Sequence, residues 1–68
     1  MADKTKLERI LAVAGKASLC ERIAVRRWTG GFHMTIDGRD IATVNGTSFG
    51  LCTENLLEAE KALSVSPA

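Results

Sequence analysis

Imidazole chemistry in this sequence depends on one side chain, His33, because the 68 residues contain a single histidine. Cys20 and Cys52 are its two cysteines. No serine, cysteine or carboxylate stands with His33 in a recognisable nucleophile motif. A zinc site made of Cys20, His33 and Cys52 would lack a fourth ligand and any closely spaced ligand pair. We therefore predict no catalytic residue, no metal site and no cofactor, and a protein that is not an enzyme.

Glycine-rich phosphate loops are also missing from the sequence. It contains neither Gly-x-x-x-x-Gly-Lys nor Gly-x-Gly-x-x-Gly. Gly30-Gly31 lies between two runs of strand-forming residues and no helix follows it, so we interpret this pair as a hairpin turn. The chain also has neither the length nor the βαβ pattern of a nucleotide-binding fold.

Length and composition indicate one small globular domain over residues 1–68, with residues 1–3 and 64–68 as frayed tails. Apolar residues make up 46% and charged residues 25%, too apolar a mixture for disorder. No apolar segment is long enough to cross a membrane, and none follows the first lysines as in a secretory signal. We expect a cytoplasmic protein with no membrane partner, in which Cys20 and Cys52 are reduced and buried as small hydrophobic residues.

Positive charge is concentrated in the first half of the chain. Residues 1–34 contain seven basic and three acidic residues, whereas residues 35–68 contain two basic and five acidic ones. Arg22, Arg26 and Arg27 form the densest basic cluster, and on a strand Arg22 and Arg26 would share a face with Trp28. Arginine beside a stacking ring is typical of nucleic-acid binding. The total charge of +1 instead favours a solvated strand with partners such as Asp40.

Hydrophobic periodicity predicts a helix near each end of the chain. Leu7, Ile10, Leu11 and Ala14 fall on one stripe of a first helix. A second helix is predicted to begin at Thr53 and to bury another stripe. Between the helices the period changes to two, and the turn dipeptides are Gly30-Gly31, Asp37-Gly38 and Asn45-Gly46. The predicted fold is α+β, a helix, a three-stranded antiparallel meander and a helix (αβββα), with Ser48–Leu51 either a short fourth strand or a loop.

Two-residue turns at these dipeptides would divide the strand residues between two faces. Met34 would then lie opposite Ile41, His33 opposite Ala42, and Ala42 opposite Phe49. The face toward the helices would collect Ile23, Val25, Phe32, Met34, Ile36 and Ile41. The opposite face would carry Arg26, Trp28, His33, Thr35, Asp40, Ala42, Phe49 and Leu51.

If both helices cover the first face, the second face is open to a partner. Its predicted partner-binding residues are Arg26, Trp28, His33, Phe49 and Leu51, because exposed aromatic rings beside arginine are typical of binding hot spots. Three structural alternatives remain. Trp28 would fold over the sheet edge into the core, Phe49 and Leu51 would pack under the second helix, or the first helix would cover the second face.

The element order and length, with Gly30-Gly31-Phe32-His33, resemble loosely the double-stranded RNA-binding domain, which carries Gly-Pro-x-His in the comparable loop. The segment 58–63, Glu-Ala-Glu-Lys-Ala-Leu, is similar to the end of that family's last helix. The family binds phosphates with lysines at the start of this helix, where the present sequence has Thr53-Glu54-Asn55. The resemblance is therefore one of topology and does not extend to the phosphate-binding residues.

In size and style the chain is similar to small accessory proteins of phages and mobile elements. Many of these, such as anti-CRISPR proteins and inhibitors of host polymerases, occlude a surface of their target. The sequence therefore favours a non-catalytic protein-binding module, an inhibitor or adaptor. The alternative is a small nucleic-acid-binding domain that uses Arg22, Arg26 and Arg27. A homodimer, formed through the exposed face or a sheet edge, is compatible with either function.

Overall fold

The fold is described from a computed structural model that covers residues 2–64, with side chains from Lys6 onward. The elements in chain order are α1 (Ala2–Lys16), a 3₁₀ turn (Ala17–Leu19), β1 (Ile23–Trp28), β2 (Gly31–Ile36), β3 (Arg39–Asn45), β4 (Ser48–Leu51) and α2 (Thr53–Ser64). The strands form one antiparallel sheet in the order β1-β2-β3-β4. The predicted α+β fold is confirmed, and the fourth strand forms. Of the predicted tails, residues 1 and 65–68 lie outside the described residues, whereas Ala2, Asp3 and Ser64 belong to helices.

Both helices pack on the same face of the sheet. Their buried residues join those of the strands in one hydrophobic core, formed by Ile10, Val13, Ala14, Ala17, Ile23, Phe32, Met34, Ile36, Ile41, Ala42, Val44, Leu56 and Ala59. The predicted stripe of α1 is partly wrong, because Val13 is buried whereas Leu11 is 48% exposed. Within the described residues, neither helix is long and apolar enough to cross a membrane.

The turn between β2 and β3 lies where its dipeptide predicts. Ile36 pairs with Arg39, so Asp37 and Gly38 are the two central residues. Their φ angles are 52° and 82°, as a type I′ turn requires. The Asp37 N–H also donates to the carbonyl oxygen of Arg22 at 2.9 Å, which extends the pairing of β1 with β2.

The other two turns are each displaced by one residue from their predicted positions. Trp28 pairs with Gly31, so Thr29 and Gly30 make the first turn rather than Gly30-Gly31. Asn45 pairs with Ser48, so Gly46 and Thr47 make the third turn rather than Asn45-Gly46. Moving a turn by one residue changes the partner of each strand residue by two, and a shift of two leaves the side chains of β1 and β2 on their predicted faces.

A β-bulge in β3 changes the faces beyond it. Thr35 pairs with Asp40 but Met34 pairs with Ala42, so Ile41 is an extra residue in the ladder. Ile41 and Ala42 are both buried on the helix side. The prediction that Ala42 lies opposite His33 on the second face is therefore wrong, and Thr43 occupies that position.

The bulge also relocates two residues that were predicted to bind a partner. Phe49 pairs with Val44 and Leu51 pairs with Ala42, which puts both side chains on the helix side. Both are half-buried and pack against the core. Their assignment to the exposed second face is wrong, because a single extra residue exchanges the two faces of the strand from that point onward.

Candidate protein-binding face

Within residues 2–64, no helix covers the side of the sheet opposite the core. We call this side the open face, and all four strands contribute its polar and aromatic residues: Arg26, Trp28, His33, Thr35, Asp40, Thr43, Asn45 and Ser48. The strands place them there because each alternates with a residue directed toward the core. Of the five residues predicted to form a partner-binding surface, the structure brings together Arg26, Trp28 and His33.

Trp28 is the largest apolar side chain on the open face. It ends β1, and 45% of its surface is exposed. Its ring lies beside the first turn, where a Cβ atom built on Gly30 would be 3.7 Å from the indole Nε1 and 3.2 Å from the Asn45 amide oxygen. Trp28 therefore does not fold into the core. A half-exposed indole offers a large apolar surface and a polar N–H that a partner could bury.

His33 and Asp40 form a polar pair at the centre of the open face. The His33 Nε2 atom lies 2.9 Å from the Asp40 Oδ1 atom. Arg26 is the register partner of His33 on the neighbouring strand. The direct partner of His33 on β3 is Thr43, so Asp40 contacts His33 diagonally across the strands. The sequence register predicted Asp40 on this face but not its contact with His33, because the predicted pairing set His33 against Ala42.

The three arginines proposed for nucleic-acid binding do not form one surface. Arg26 lies on the open face, whereas Arg27 lies on the helix side with its guanidinium carbon 5.6 Å from the centre of the Phe32 ring. Arg22 precedes β1 and is held by two carboxylates. The alternation of a strand separates neighbouring arginines, and only one of the three remains on the open face.

Arg22 belongs to an ion-pair cluster with Asp37, Arg39 and Glu58, which joins the second turn to α2. The Arg22 guanidinium contacts Asp37 at 2.6 Å and Glu58 at 2.5 Å, and Arg39 contacts both oxygens of Glu58 at 2.7 Å. Asn55 donates its amide to the carbonyl oxygen of Asp40 at 2.6 Å. These contacts fix the second turn and the backbone of Asp40 against α2. The spacing of the four charged residues along the sequence does not predict the cluster.

Hydrogen bonds to arginine lower the pKa values of three carboxyl groups. The main donors are Arg22 for Asp37, Arg39 for Glu58 and Arg9 for Glu60. The Arg9–Glu60 pair joins α1 to α2 through two hydrogen bonds. In the same pairs the carboxylates raise the pKa values of the arginines.

We expect the free energy of unfolding to fall in acid because of these groups. A carboxyl whose pKa is lowered in the folded state stabilises the fold above its unfolded pKa of about 4, and this contribution is lost as the pH falls through the lower folded value. Urea unfolding followed by circular dichroism should give a constant midpoint between about pH 5 and 7 and a decreasing midpoint below about pH 4.

Glu58→Gln is the matched variant for this measurement. It should lower the unfolding midpoint near neutral pH and have a smaller effect near pH 2.5, where the wild-type carboxyl is itself protonated. An equal effect of Glu58→Gln at both pH values would show that the charge of Glu58 contributes nothing.

The residues with metal-binding or redox chemistry are dispersed. Within residues 6–64 no group of three or more histidine, cysteine or acidic side chains is placed to hold a metal ion. Cys20 precedes β1 and packs against the core, whereas Cys52 follows β4 at the other edge of the sheet and is exposed. Both thiols are free, and the prediction that Cys52 is a buried hydrophobic residue is wrong.

These features define a small α+β domain with one covered and one uncovered sheet face. No protein-family model matches the chain, and neither a curated protein nor a solved structure is significantly similar to it. The resemblance to the double-stranded RNA-binding domain therefore has no support beyond element order, and function must be inferred from the residues of the open face.

Proposed function

We propose that the protein is a non-catalytic binding module that recognises another protein through its open face. The observation that supports this proposal is the half-exposed Trp28 ring, which shares with Arg26 a sheet face that neither described helix covers. Tryptophan and arginine are the residues most enriched among binding hot spots, because each buries a large area and retains a polar group for hydrogen bonding.

The charge of the open face favours a protein partner over nucleic acid. Among the described residues, Arg26 is the only arginine on the open face, and Asp40, which contacts His33, adds a carboxylate to the same face. Nucleic-acid binding by counterion release requires several cations that are not neutralised by neighbouring carboxylates. Arg22 is neutralised by Asp37 and Glu58, and Arg27 lies on the other side of the sheet. A mixed polar face with one large ring suits a protein surface better.

The module would act by occupying its partner's surface, as an inhibitor or adaptor in the cytoplasm. Its small size and its candidate site, formed by side chains of a sheet face rather than by a deep pocket, support this mode of action. Small phage and mobile-element proteins that occlude a target with one face of a short chain would act in the same way.

Trp28→Ala is expected to weaken binding to the partner by about 2 kcal/mol, which corresponds to about a 30-fold higher dissociation constant. The partner would be captured with the wild-type protein from cells that make it, and then titrated as a purified protein by calorimetry. A binding loss in Trp28→Ala with an unchanged thermal unfolding temperature would locate the interface on the open face.

Leu57→Ala is the control for this experiment. Leu57 is 52% exposed, close to the value for Trp28, but it lies on α2 at the helix side of the sheet. Its removal should leave the dissociation constant unchanged. If Leu57→Ala weakens binding and Trp28→Ala does not, the helices and not the open face form the interface. Strong binding of DNA or RNA that weakens steeply with salt would favour the nucleic-acid alternative.

A further inference from the structure

The edge of β1 presents backbone groups that β2 does not use. The Asp37 N–H donates to the Arg22 carbonyl oxygen, so the backbone groups of Arg22 point toward β2. In an antiparallel ladder this direction alternates from residue to residue, so Ala24 and Arg26 also point toward β2, whereas Val25 and Arg27 point outward.

A second hydrogen bond supports this assignment. The N–H of Ile23, which also points outward, donates to the carbonyl oxygen of Cys20 at 3.1 Å and is satisfied at the start of the strand. Within the described residues, Val25 and Arg27 have no backbone partner from a turn, loop or cap. The edge therefore has outward donors and acceptors at both residues, which is the pattern that an added strand uses.

The side chains of this edge are strongly basic. Arg26 and Arg27 are consecutive, so they project from opposite faces of the same edge strand. Neither forms an ion pair with another described side chain, and Arg27 instead lies over the Phe32 ring. The opposite edge, β4, has four residues and none of them is basic. Charge therefore distinguishes the two edges.

Exposed apolar side chains stand at both ends of the β1 edge. Trp28 ends the strand, and Leu19, in the 3₁₀ turn that packs against β1, is 78% exposed. The β1 edge therefore combines free backbone groups, two unpaired arginines and an exposed apolar side chain at each end. These are the features of a site for an extended chain.

We propose that the β1 edge binds an extended acidic segment of the partner protein as a fifth, added strand of the sheet. The segment would carry two consecutive acidic residues, because consecutive side chains of a strand point to opposite faces and would meet Arg26 and Arg27 respectively. This inference rests on the proposed function, since it names the chemistry of the partner at one border of the open face.

A second copy of this chain suits the β1 edge less well. Antiparallel pairing of two β1 strands would bring four arginines onto adjacent strands, and like charges opposite one another destabilise a sheet. Exposed cations on an edge strand are also a common protection against self-pairing. The basic edge therefore selects an acidic partner and rejects its own copy.

The test uses nuclear magnetic resonance of the labelled protein with a synthetic probe. The probe is a capped eight-residue peptide of valine and threonine with two consecutive glutamates at its centre, and the control peptide has two lysines in their place. We expect the lysine peptide to bind at least about tenfold more weakly at low salt, the effect of two exposed ion pairs at the strong end of their range.

Hydrogen exchange supplies an internal control within one strand. In the free protein the amides of Val25 and Arg27 should exchange rapidly and those of Ala24 and Arg26 slowly, because only the latter bond to β2. The glutamate peptide should slow Val25 and Arg27 at least about tenfold and leave Ala24 and Arg26 unchanged. The double variant Arg26→Glu/Arg27→Glu should prefer the lysine peptide.

Three results would overturn the inference: no binding of the glutamate peptide, equal binding of both peptides, or protection that maps to β4 or to the helices. A dimer that forms at higher concentration and protects Val25 and Arg27 without peptide would show that the edge pairs with its own copy instead. These outcomes are separate from the proposed function, which is tested by Trp28→Ala against the captured partner. A loss of partner binding in Trp28→Ala with no peptide effect would refute only the added strand.

Discussion

Gly31→Ala is expected to destabilise the protein by at least about 3 kcal/mol, the upper range for overpacking a tightly packed site. A Cβ atom at Gly31 would lie 1.8 Å from the carbonyl oxygen of Val44 and 2.7 Å from its carbonyl carbon. Both atoms are backbone, so β2 and β3 would have to move apart. A domain of this size has about 3–10 kcal/mol of total stability, so the variant should be partly or wholly unfolded in urea concentrations that the wild type resists.

Alanine substitutions at two other glycines are the controls, because they reduce backbone freedom without creating a steric clash. Gly50 lies in β4 and Gly15 in α1, and a Cβ atom at either position would contact nothing within 4 Å. Gly50→Ala should change stability by less than about 0.5 kcal/mol, and Gly15→Ala should raise it by up to about 1 kcal/mol because alanine is the better helix former. Equal urea midpoints for Gly31→Ala and Gly50→Ala would contradict the close approach of β2 and β3.

Ile41→Ala is expected to lower the free energy of unfolding by about 3 kcal/mol, within the range for removing a large buried aliphatic side chain. Ile41 is the extra residue of the bulge, and its surface is fully buried against the helices. The cost combines the lost burial with the cavity that remains. Urea unfolding followed by circular dichroism measures this difference directly.

Leu57→Ala serves as the comparison, because Leu57 is a large aliphatic residue that is half exposed on α2. Its removal should cost less than about 0.5 kcal/mol. If the two variants lose the same stability, Ile41 does not lie in the core. Both the bulged and the regular register place Ile41 in the core, so this result would contradict the burial of β3 against α2.

Much of the fold follows from local patterns in the sequence. The order of elements follows from the change of hydrophobic period, and the second turn follows from Asp37-Gly38, whose residues tolerate the positive φ angles of a type I′ turn. The faces of β1 and β2 follow as well, although the first turn is displaced, because a displacement of two in the pairing preserves the alternation. Trp28 and His33 are therefore on the predicted face.

Tertiary packing decided the rest of the site. Ile41 and Ala42 are consecutive apolar residues, and a regular strand buries only one of two neighbours. The bulge buries both in the core beneath α2, and it thereby brings Phe49 and Leu51 to the core side. No local signal distinguishes this arrangement from a regular strand, because the gain comes from contacts with helices that are distant in the sequence.

The positions of the first and third turns also depend on both the local sequence and tertiary contacts. Gly30, Gly31 and Gly46 mark two turn regions in the sequence, but a pair of adjacent glycines does not state which residue belongs to the turn. The close approach of the Val44 carbonyl to Gly31 requires a glycine within β2, which leaves Thr29-Gly30 for the turn. By itself the sequence determined the two helices, the first three strands, the Asp37-Gly38 turn and the placement of Trp28 and Arg26 on one face of β1. Only the tertiary structure decided which residues accompany them, because side-chain packing between distant elements sets the register of β3 and β4.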